Sequence, residues 1–488
     1  MTGPDLVAGS AVAEPANPTL DDVARFFDGF VQDNERWAQR NQGYHRLIES
    51  IFKFLVPKGS SVLEIGCGRG DLIGALEPSV GVGVDVSPEM AAAAAVRHPR
   101  LTFIACAGED IEIDGTFDYV IFSDVVPFAN DLLEMFRRAR EVSHPGTRVI
   151  VHSYAQLWRP LIRVLELLKL KPQKPLRNWV DAHDIAGFLQ LAGFEVVSST
   201  RRILFPKRVP VLSGILNGVV ANVWPFNKLC LTYWVVARPV GMEKDVRSVS
   251  VIVPCRNEAG TIAEIVRRIP DMGESTEIVF VEGGSTDDTS AEIERQIVLH
   301  PERKLVFHTQ EGRGKADAVR KGFEHASGDM VMIFDADMTV SPDDLPKFYD
   351  AIASNRAEFA NGSRLVYALE PHAMQLLNIA GNKFFSGVFS FLIDQHVKDT
   401  LCGTKALLRS DYERIAAGRA EFGASDPFGD FDLLLGAARL GLKISDVPVR
   451  YSARKYGSTN ISRFRHGWLL VRTSLSAFRR LKIDVVRP

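Results

Sequence analysis

Two groups of residues in this chain have the types and spacing to do chemistry. In the first, Val62-Leu-Glu-Ile-Gly-Cys-Gly-Arg-Gly-Asp-Leu72 places Glu64 ahead of Gly66, Gly68 and Gly70. Glycines at that spacing let the backbone turn sharply and approach a ligand closely, and helix N–H groups behind them suit an anionic group. Asp85 follows nineteen residues after Gly66 and ends the next apolar run. A carboxylate there can accept bonds from two ribose hydroxyls. The dinucleotide fingerprint wants a small residue at position 71, and Asp71 stands there instead, which argues against NAD.

The second group consists of carboxylates at the ends of apolar runs. Val251-Ile-Val-Pro-Cys-Arg-Asn-Glu258 breaks at Pro254 into Asn257 and Glu258, and Val281-Glu-Gly-Gly-Ser-Thr-Asp-Asp288 repeats the arrangement around Glu282. Phe334-Asp-Ala-Asp337 closes the run MVMIF with Asp335 and Asp337. Alternate residues of a strand share a face, so these two carboxylates are expected on one side of the chain. Such a pair suits Mg²⁺ or Mn²⁺ that also binds phosphate oxygens, and the ion would take up charge on a leaving diphosphate.

Both groups need parallel-sheet scaffolds. Buried-strand runs alternate with helical stretches in each half, which predicts an α/β chain of two doubly wound, mostly parallel-sheet domains. The first half has SVLEI, GVGVDV, FDYVIF, TRVIVHS and LTYWVVA; the second has SVSVIVP, EIVFVEG, KLVFHTQ and MVMIFDAD. The polar stretch 241–247 separates a domain over 20–240 from one over 248–488. Residues 1–19, rich in Ala, Gly and Pro, read as a disordered leader without an address.

At its glycine-rich segment the first half resembles class I S-adenosylmethionine-dependent methyltransferases, which implies a Rossmann-like fold. The likeness covers roughly 45–240 and includes Glu64 to Gly70, Asp85, Gly108-Glu109-Asp110 and FDYVIFSDVVPFAND. It implies that Gly66, Gly68 and Gly70 line the methionine part, that Asp85 holds the ribose, that Glu109 and Asp110 lie near the adenine, and that Asp124 sits by the methyl acceptor. Pro127-Phe128 stands where many relatives carry Glu-His, so no acceptor-side base carries over. His152, His183 and Asp184 are weak candidates for that task.

The second half resembles family 2 glycosyltransferases of the GT-A fold, and within them the dolichyl- or polyprenyl-phosphate sugar synthases. The motifs are VIVPCRNE, EGGSTDDT, GRGKADAVRKGFEHASGD, FDAD, DTLCGTKALLRSD, GDFDLLLGAARLG and KYGSTNIS. The resemblance implies that Pro254, Asn257, Glu258 and Glu282 contact the nucleotide, that Asp335 and Asp337 hold metal and diphosphate with Lys315 near them, and that Asp430 and Asp432 are acceptor-side acids. With a hydroxyl acceptor Asp432 would take the proton. A prenyl phosphate is already an anion and needs no base; Arg454, Lys455 or another tail cation would receive it. The alternative for Asp430 and Asp432 is that they are first-turn acids of the helix through LLLGAARLG.

The implied activity is inverting glycosyl transfer from a UDP- or GDP-sugar to a polyprenyl phosphate, glycan or lipid, together with methyl transfer from S-adenosylmethionine. The rivals are a silent adenosylmethionine-binding domain, a sugar nucleotidyltransferase, and a membrane-surface scaffold.

Composition narrows the rest. In 488 residues, 46% are hydrophobic and 24% charged with a net charge of −2, which excludes wholesale disorder and a nucleic-acid electrostatic trap. Five scattered cysteines form neither a disulfide scaffold nor a structural zinc site and fit a reducing cytoplasm. The uncharged run 209–227 and the run 373–393, with one charge, are both interrupted by polar or Pro residues and read as core or interfacial helices. From Arg450 onward ten Lys/Arg face one acid, Asp484. Phe464, Trp468, Val471, Leu475 and Phe478 recur there on one helical face. Such a helix either lies in an anionic membrane interface at the cytoplasmic side or packs its apolar side on the domain.

Overall fold

In the computed structural model the two halves build separate seven-stranded sheets. Residues 18–168, 174–175, 178, 180–207, 209, 211–242, 244–367, 376–419, 429, 431–452, 454, 456 and 463–486 are described. The expected leader over its first seventeen residues, Asp430 and Lys455 lie outside them, as do the side chains of Arg463, Phe464 and Arg465.

The first domain runs α1 (Leu20–Arg40), α2 (Gln42–Leu55), β1 (Ser61–Ile65), α3 (Asp71–Leu76), β2 (Val80–Asp85), α4 (Pro88–Arg97) and β3 (Thr102–Ala105). It continues with β4 (Phe117–Ser123), α5 (Leu132–Glu141), β5 (Ser143–Tyr154), α6 (Arg159–Leu167), α7 (Ala182–Leu191), β6 (Phe194–Arg202), α8 (Leu212–Gly218) and β7 (Thr232–Pro239). Its strand order is β3-β2-β1-β4-β5-β7-β6, with β7 antiparallel to both neighbours.

The second domain runs β8 (Ser248–Cys255), α9 (Ala259–Arg268), β9 (Ser275–Glu282), α10 (Thr289–Leu299), β10 (Lys304–Thr309), α11 (Lys315–His325) and β11 (Met330–Ile333). Then come α12 (Leu345–Ala353), β12 (Phe359–Ser363), α13 (Leu376–Ile393), β13 (Lys405–Leu408), α14 (Arg409–Ala417), α15 (Phe431–Arg439), β14 (Ile444–Pro448) and α16 (Arg463–Phe478). Here the order is β10-β9-β8-β11-β13-β12-β14, and β13 is antiparallel to β11 and β12.

Central strands read as continuous apolar runs because helices cover both sheet faces. Leu63, Ile65 and Val120 pack one face of the first sheet, while Val62 and Ile121 pack the other with α2. Strand order reverses between β1 and β4 in the first sheet and between β8 and β11 in the second. Those switch points leave crevices at the carboxyl ends of the strands, where α/β sheets bind ligands.

The run MVMIFDAD is shorter as a strand than its pattern suggests. β11 ends at Ile333, so Asp335 and Asp337 lie in the turn beyond it and not on a strand face. Phe334 N still donates to Ile252 O (2.9 Å), which carries that turn across β8.

The domains meet through a buried ionic contact. Arg148 of β5 donates to Glu358, just before β12, at 2.7 Å and to Gly441 O at 2.7 Å. Arg238 of β7 donates to the Asn355 side chain and carbonyl, both at 2.9 Å. Glu358 also accepts from Lys443 N at 2.9 Å. Burial opposes ionisation of Glu358, but Arg148, Lys244 and Arg238 hold its carboxyl down to about 2.

The chain end returns to the first domain. Val485 and Val486 pack with Ile51 and Phe52 of α2, and Ser50 donates to Val485 O at 2.8 Å. On α16 the buried apolar residues are Leu470 and Ala477, while Trp468, Val471 and Leu475 face outward. Of the stripe read from the sequence, Phe478 packs against the core, while Trp468, Val471 and Leu475 do not face the domain.

Candidate functional site

The glycine turn behaves as a ligand cradle. After β1, Gly66 N and Cys67 N both donate to Val84 O, at 2.7 and 3.0 Å, which holds the turn against β2. Gly66 has φ +75°, and a Cβ there would lie 2.5 Å from Val125 Cγ2. Glu64, Gly66 and Gly68 line a cavity of about 590 Å³ at the sheet's switch point. Asp124, with φ +56°, also lines it, along with Ser123 and Tyr154. An open cavity with backbone laid against it fits S-adenosylmethionine in size and in polar character.

Several expected cofactor residues have other partners. Asp85 accepts from Gly68 N at 2.7 Å and Ser87 N at 3.0 Å, so it shapes the turn. Glu109 is buried and accepts from Asn130 N and Asp131 N at 2.6 and 2.9 Å, fixing the loop before α5. Asp110 is exposed and also outside the cavity wall, as is Gly70, which instead starts α3. Glu64 is fully buried and accepts from Ile73 N at 3.0 Å; burial pushes its carboxyl up to about 8.

Among the candidate acceptor bases, Asp184 completes a capping box with Asp181 at the start of α7, beside the exposed His183. Neither reaches the cavity wall. His152 is wholly buried behind Asp124, 3.9 Å away, and burial lowers its pKa. None of the three is presented to an acceptor.

Sequence reading missed the far wall. His45, Arg46 and Glu49 of α2, Arg159 and Glu166 of α6, and Lys174 line it, so that it mixes cations with acids. No motif marks them, because they come from segments that meet only in the fold.

In the second domain the acids converge on one sheet end. Glu258 follows β8, Asp287 follows β9, and Asp335 and Asp337 follow β11. Burial raises the Glu258 carboxyl to about 7; Arg454 opposes the shift, and Asp337, Asp287 and Asp335 add to it. Arg454 donates to Glu258 at 3.1 Å and to Asp337 at 2.7 Å. Lys315 pairs with Asp335 at 2.7 Å. Gly403 lies so close that any Cβ there would collide with both Lys315 and Asp335.

Asn257, at φ +58°, accepts from Thr286 N at 2.8 Å, tying the loops after β8 and β9 together. Glu282 is buried and accepts from Ser285 N, and Pro254 sits in β8 opposite Val281. Asp287 was passed over as a site residue; its carboxylate accepts from Ala259 N and Thr289 N. No three ligating side chains among the described residues already surround a metal position. One or two carboxylates plus substrate phosphates are nevertheless the usual arrangement for Mg²⁺, and Asp335 and Asp337 fit that hard-oxygen set.

Asp432 stands at the start of α15. It lies buried in the first turn of α15, held by Arg320 at 2.9 Å and Arg419 at 3.1 Å. Two guanidiniums on one carboxylate tie α11 and the residues after α14 to α15.

Residues 250–415 match the family model for glycosyl transferase family 2, and residues 36–199 match a methyltransferase domain model. Glycosyltransferase AglJ of Haloferax volcanii is 31% identical over 240 residues, covering 49% of this chain and 73% of that protein. The low-salt glycan biosynthesis hexosyltransferase Agl6 of the same organism is 28% identical over 234 residues, covering 47% and 53%. The dolichol-phosphate mannosyltransferase of Pyrococcus furiosus is 29% identical over 219 residues, covering 44% and 59%. The chain thus spans only a little over half the length of the last two. It belongs to glycosyltransferase family 2 and carries a methyltransferase domain ahead of the glycosyltransferase domain.

Proposed function

We propose that the second domain transfers a sugar from a UDP- or GDP-sugar to a polyprenyl phosphate by an inverting displacement, and that the first domain transfers methyl from S-adenosylmethionine within the same glycan or lipid pathway. The observation that carries the glycosyl reading is the convergence of Glu258, Asp287, Asp335 and Asp337 with Lys315 and Arg454 at one switch point. Asp335 and Asp337 hold Mg²⁺ or Mn²⁺, which supplies charge neutralisation for the leaving diphosphate. Asn257, Glu258 and Glu282 bound the nucleotide side. Lys315 and Arg454 are cations within reach of phosphate oxygens.

A lipid phosphate acceptor agrees with the state of Asp432. An anionic acceptor needs no general base, and the carboxylate that a hydroxyl acceptor would require is tied to Arg320 and Arg419. In the first domain Gly66 and Gly68 hold the methyl donor and Asp124 faces the acceptor, so alignment supplies most of the catalysis. The protein works at the cytoplasmic side of a membrane, in peripheral contact through the basic C-terminal helix.

The test combines purified protein, Mg²⁺ or Mn²⁺, a panel of UDP- and GDP-sugars and a short polyprenyl phosphate, with mass spectrometry of the organic phase. A glycosylated lipid phosphate supports the reading. Donor consumption only with a soluble hydroxyl acceptor overturns it.

A further inference from the structure

The first domain carries an apolar surface that its own fold does not explain. On α6 no residue is buried. One side of that helix, through Arg159, Ile162 and Glu166, lines the methyl-site cavity. The other side turns Leu161, Val164 and Leu167 outward, and Leu167 is 81% exposed. Within each set the residues recur at spacings of three or four and so share a face, which makes α6 a wall with a mixed inner face and an apolar outer one.

The segment 209–229 continues this surface. It contains α8, has no acidic residue, and carries Lys228 as its single charge. Its inner side is held firmly: Asn217 exchanges bonds of 2.8 Å with both Phe205 N and Phe205 O. Outward it presents Val211, Ile215, Phe226 and Trp224, the last 71% exposed. Trp158 Nε1 donates to Leu229 O at 3.0 Å and joins this segment to the start of α6.

The surface does not stop at the domain boundary. Gly218 of α8 sits against Ile483, in the turn that follows α16. Beyond that turn, α16 exposes Trp468 and Leu475, and α13 beside it exposes Phe384. Most of the large apolar side chains exposed among the described residues lie on these elements. Soluble monomers rarely expose apolar patches beyond a few hundred Å² without a binding role.

Charge identifies the occupant. Exposed Arg163, Lys207, Lys228, Lys383 and Arg472 border the apolar residues, while Asp394 is taken by Lys482. A second copy of the chain would set these cations against one another. An anionic bilayer would neutralise them and receive the apolar side chains. No helix among the described residues is long and apolar enough to cross a membrane, and short helices with exposed Trp suit the interface plane.

We propose that α6 and the 209–229 segment dock the methyltransferase domain onto an anionic lipid surface, in one plane with α13 and α16. The cavity wall formed by α6 then stands at the membrane, and the methyl acceptor is a lipid-borne molecule. This rests on the proposed lipid phosphate acceptor only in preferring a bilayer to a protein partner. Vesicle binding is measured without sugar donor or acceptor, so its failure and the failure of the glycosyl reading are distinguishable.

The experiment is co-sedimentation of the full chain with phosphatidylglycerol/phosphatidylcholine vesicles and with phosphatidylcholine vesicles. The triple variant Leu161→Glu, Ile215→Glu, Trp224→Glu is compared with wild type, with melting temperature as the folding control. Wild type is expected to bind the anionic vesicles at least tenfold better than the neutral ones, and the variant to lose at least tenfold. Brominated lipid is expected to quench tryptophan emission, less in Trp224→Phe; that variant serves even if the triple variant does not fold. Equal binding by variant and wild type overturns the proposal. So does unchanged quenching in Trp224→Phe, or a wild-type dimer that the variant turns into a monomer with no change in vesicle binding.

Discussion

Glu358 is the residue whose removal most directly tests how the two domains are joined. It is almost fully buried, against Arg148 at 2.7 Å and with Lys244 and Arg238 nearby. Its carboxyl is ordinarily at 4.5 and is held at about 2 here, a difference of roughly 2.5 pH units or about 3 kcal/mol. Because the folded-state value lies below the unfolded one, that contribution is complete above pH 4.5 and is lost as pH falls towards about 2. Glu358→Gln keeps the shape and removes the charge, leaving Arg148 buried without its counter-ion. Breaking one side of a buried pair costs roughly 3–5 kcal/mol, so the two magnitudes agree. At about 2–4 °C per kcal/mol for units of this size, the melting transition should fall by roughly 6–12 °C. Differential scanning calorimetry at pH 7 should also show the domains separating into two transitions, since the lost contact lies between them. The difference between wild type and Glu358→Gln should shrink as pH drops from 4.5 to 3. A difference of less than 2 °C at pH 7, or one of constant size from pH 7 to 3, would refute the reasoning.

Other expectations follow from the two sites. Asp335→Asn or Asp337→Asn should lower glycosyl transfer by about 10²–10³-fold while leaving adenosylhomocysteine binding intact, as measured by product mass spectrometry and calorimetry in parallel. Gly66→Val places a side chain where Val125 already stands, at a φ of +75°; cofactor affinity should fall roughly ten- to a hundredfold by calorimetric titration. Glu64 is pushed up to about 8 by burial, with Asp71 and Asp85 adding to the shift against the Ile73 N–H bond. Its folded-state value lies above the unfolded one, so the penalty is absent below pH 4.5 and grows until about pH 8. Glu64→Gln should therefore melt several degrees above wild type at pH 8.5 and alike at pH 4.5; equal melting at both would count against a buried carboxyl. Asp432→Asn should lower the melting temperature without shifting the pH profile of transfer to a lipid phosphate, whereas a catalytic base would move that profile.

Much of the scaffold was legible because buried parallel strands are continuous apolar runs. β1, β2, β4, β8 and β9 stand close to where their Val- and Ile-rich segments suggested. The short strands β12, β13 and β14 were not legible. FANGS in β12 has no apolar alternation, and it becomes a strand only because β13 and β14 lie on either side of it.

The sequence by itself determined the two domain types, because glycines that let a turn form and carboxylates that end a strand are local requirements. It also carried the positions of Gly66, Gly68, Asp335 and Asp337 without help from the rest of the chain. Tertiary structure decided which neighbouring acids are spoken for. Asp85, Glu109 and Asp287 hold backbone N–H groups, Asp432 holds two arginines, and Glu258 shares Arg454 with Asp337. Only the fold, likewise, could bring α2 and α6 to one cavity, or set Glu358 against Arg148 across 210 residues of chain. A side chain's charge is written in the sequence. What it is paired with depends on which distant segment the packing brings within about 3 Å.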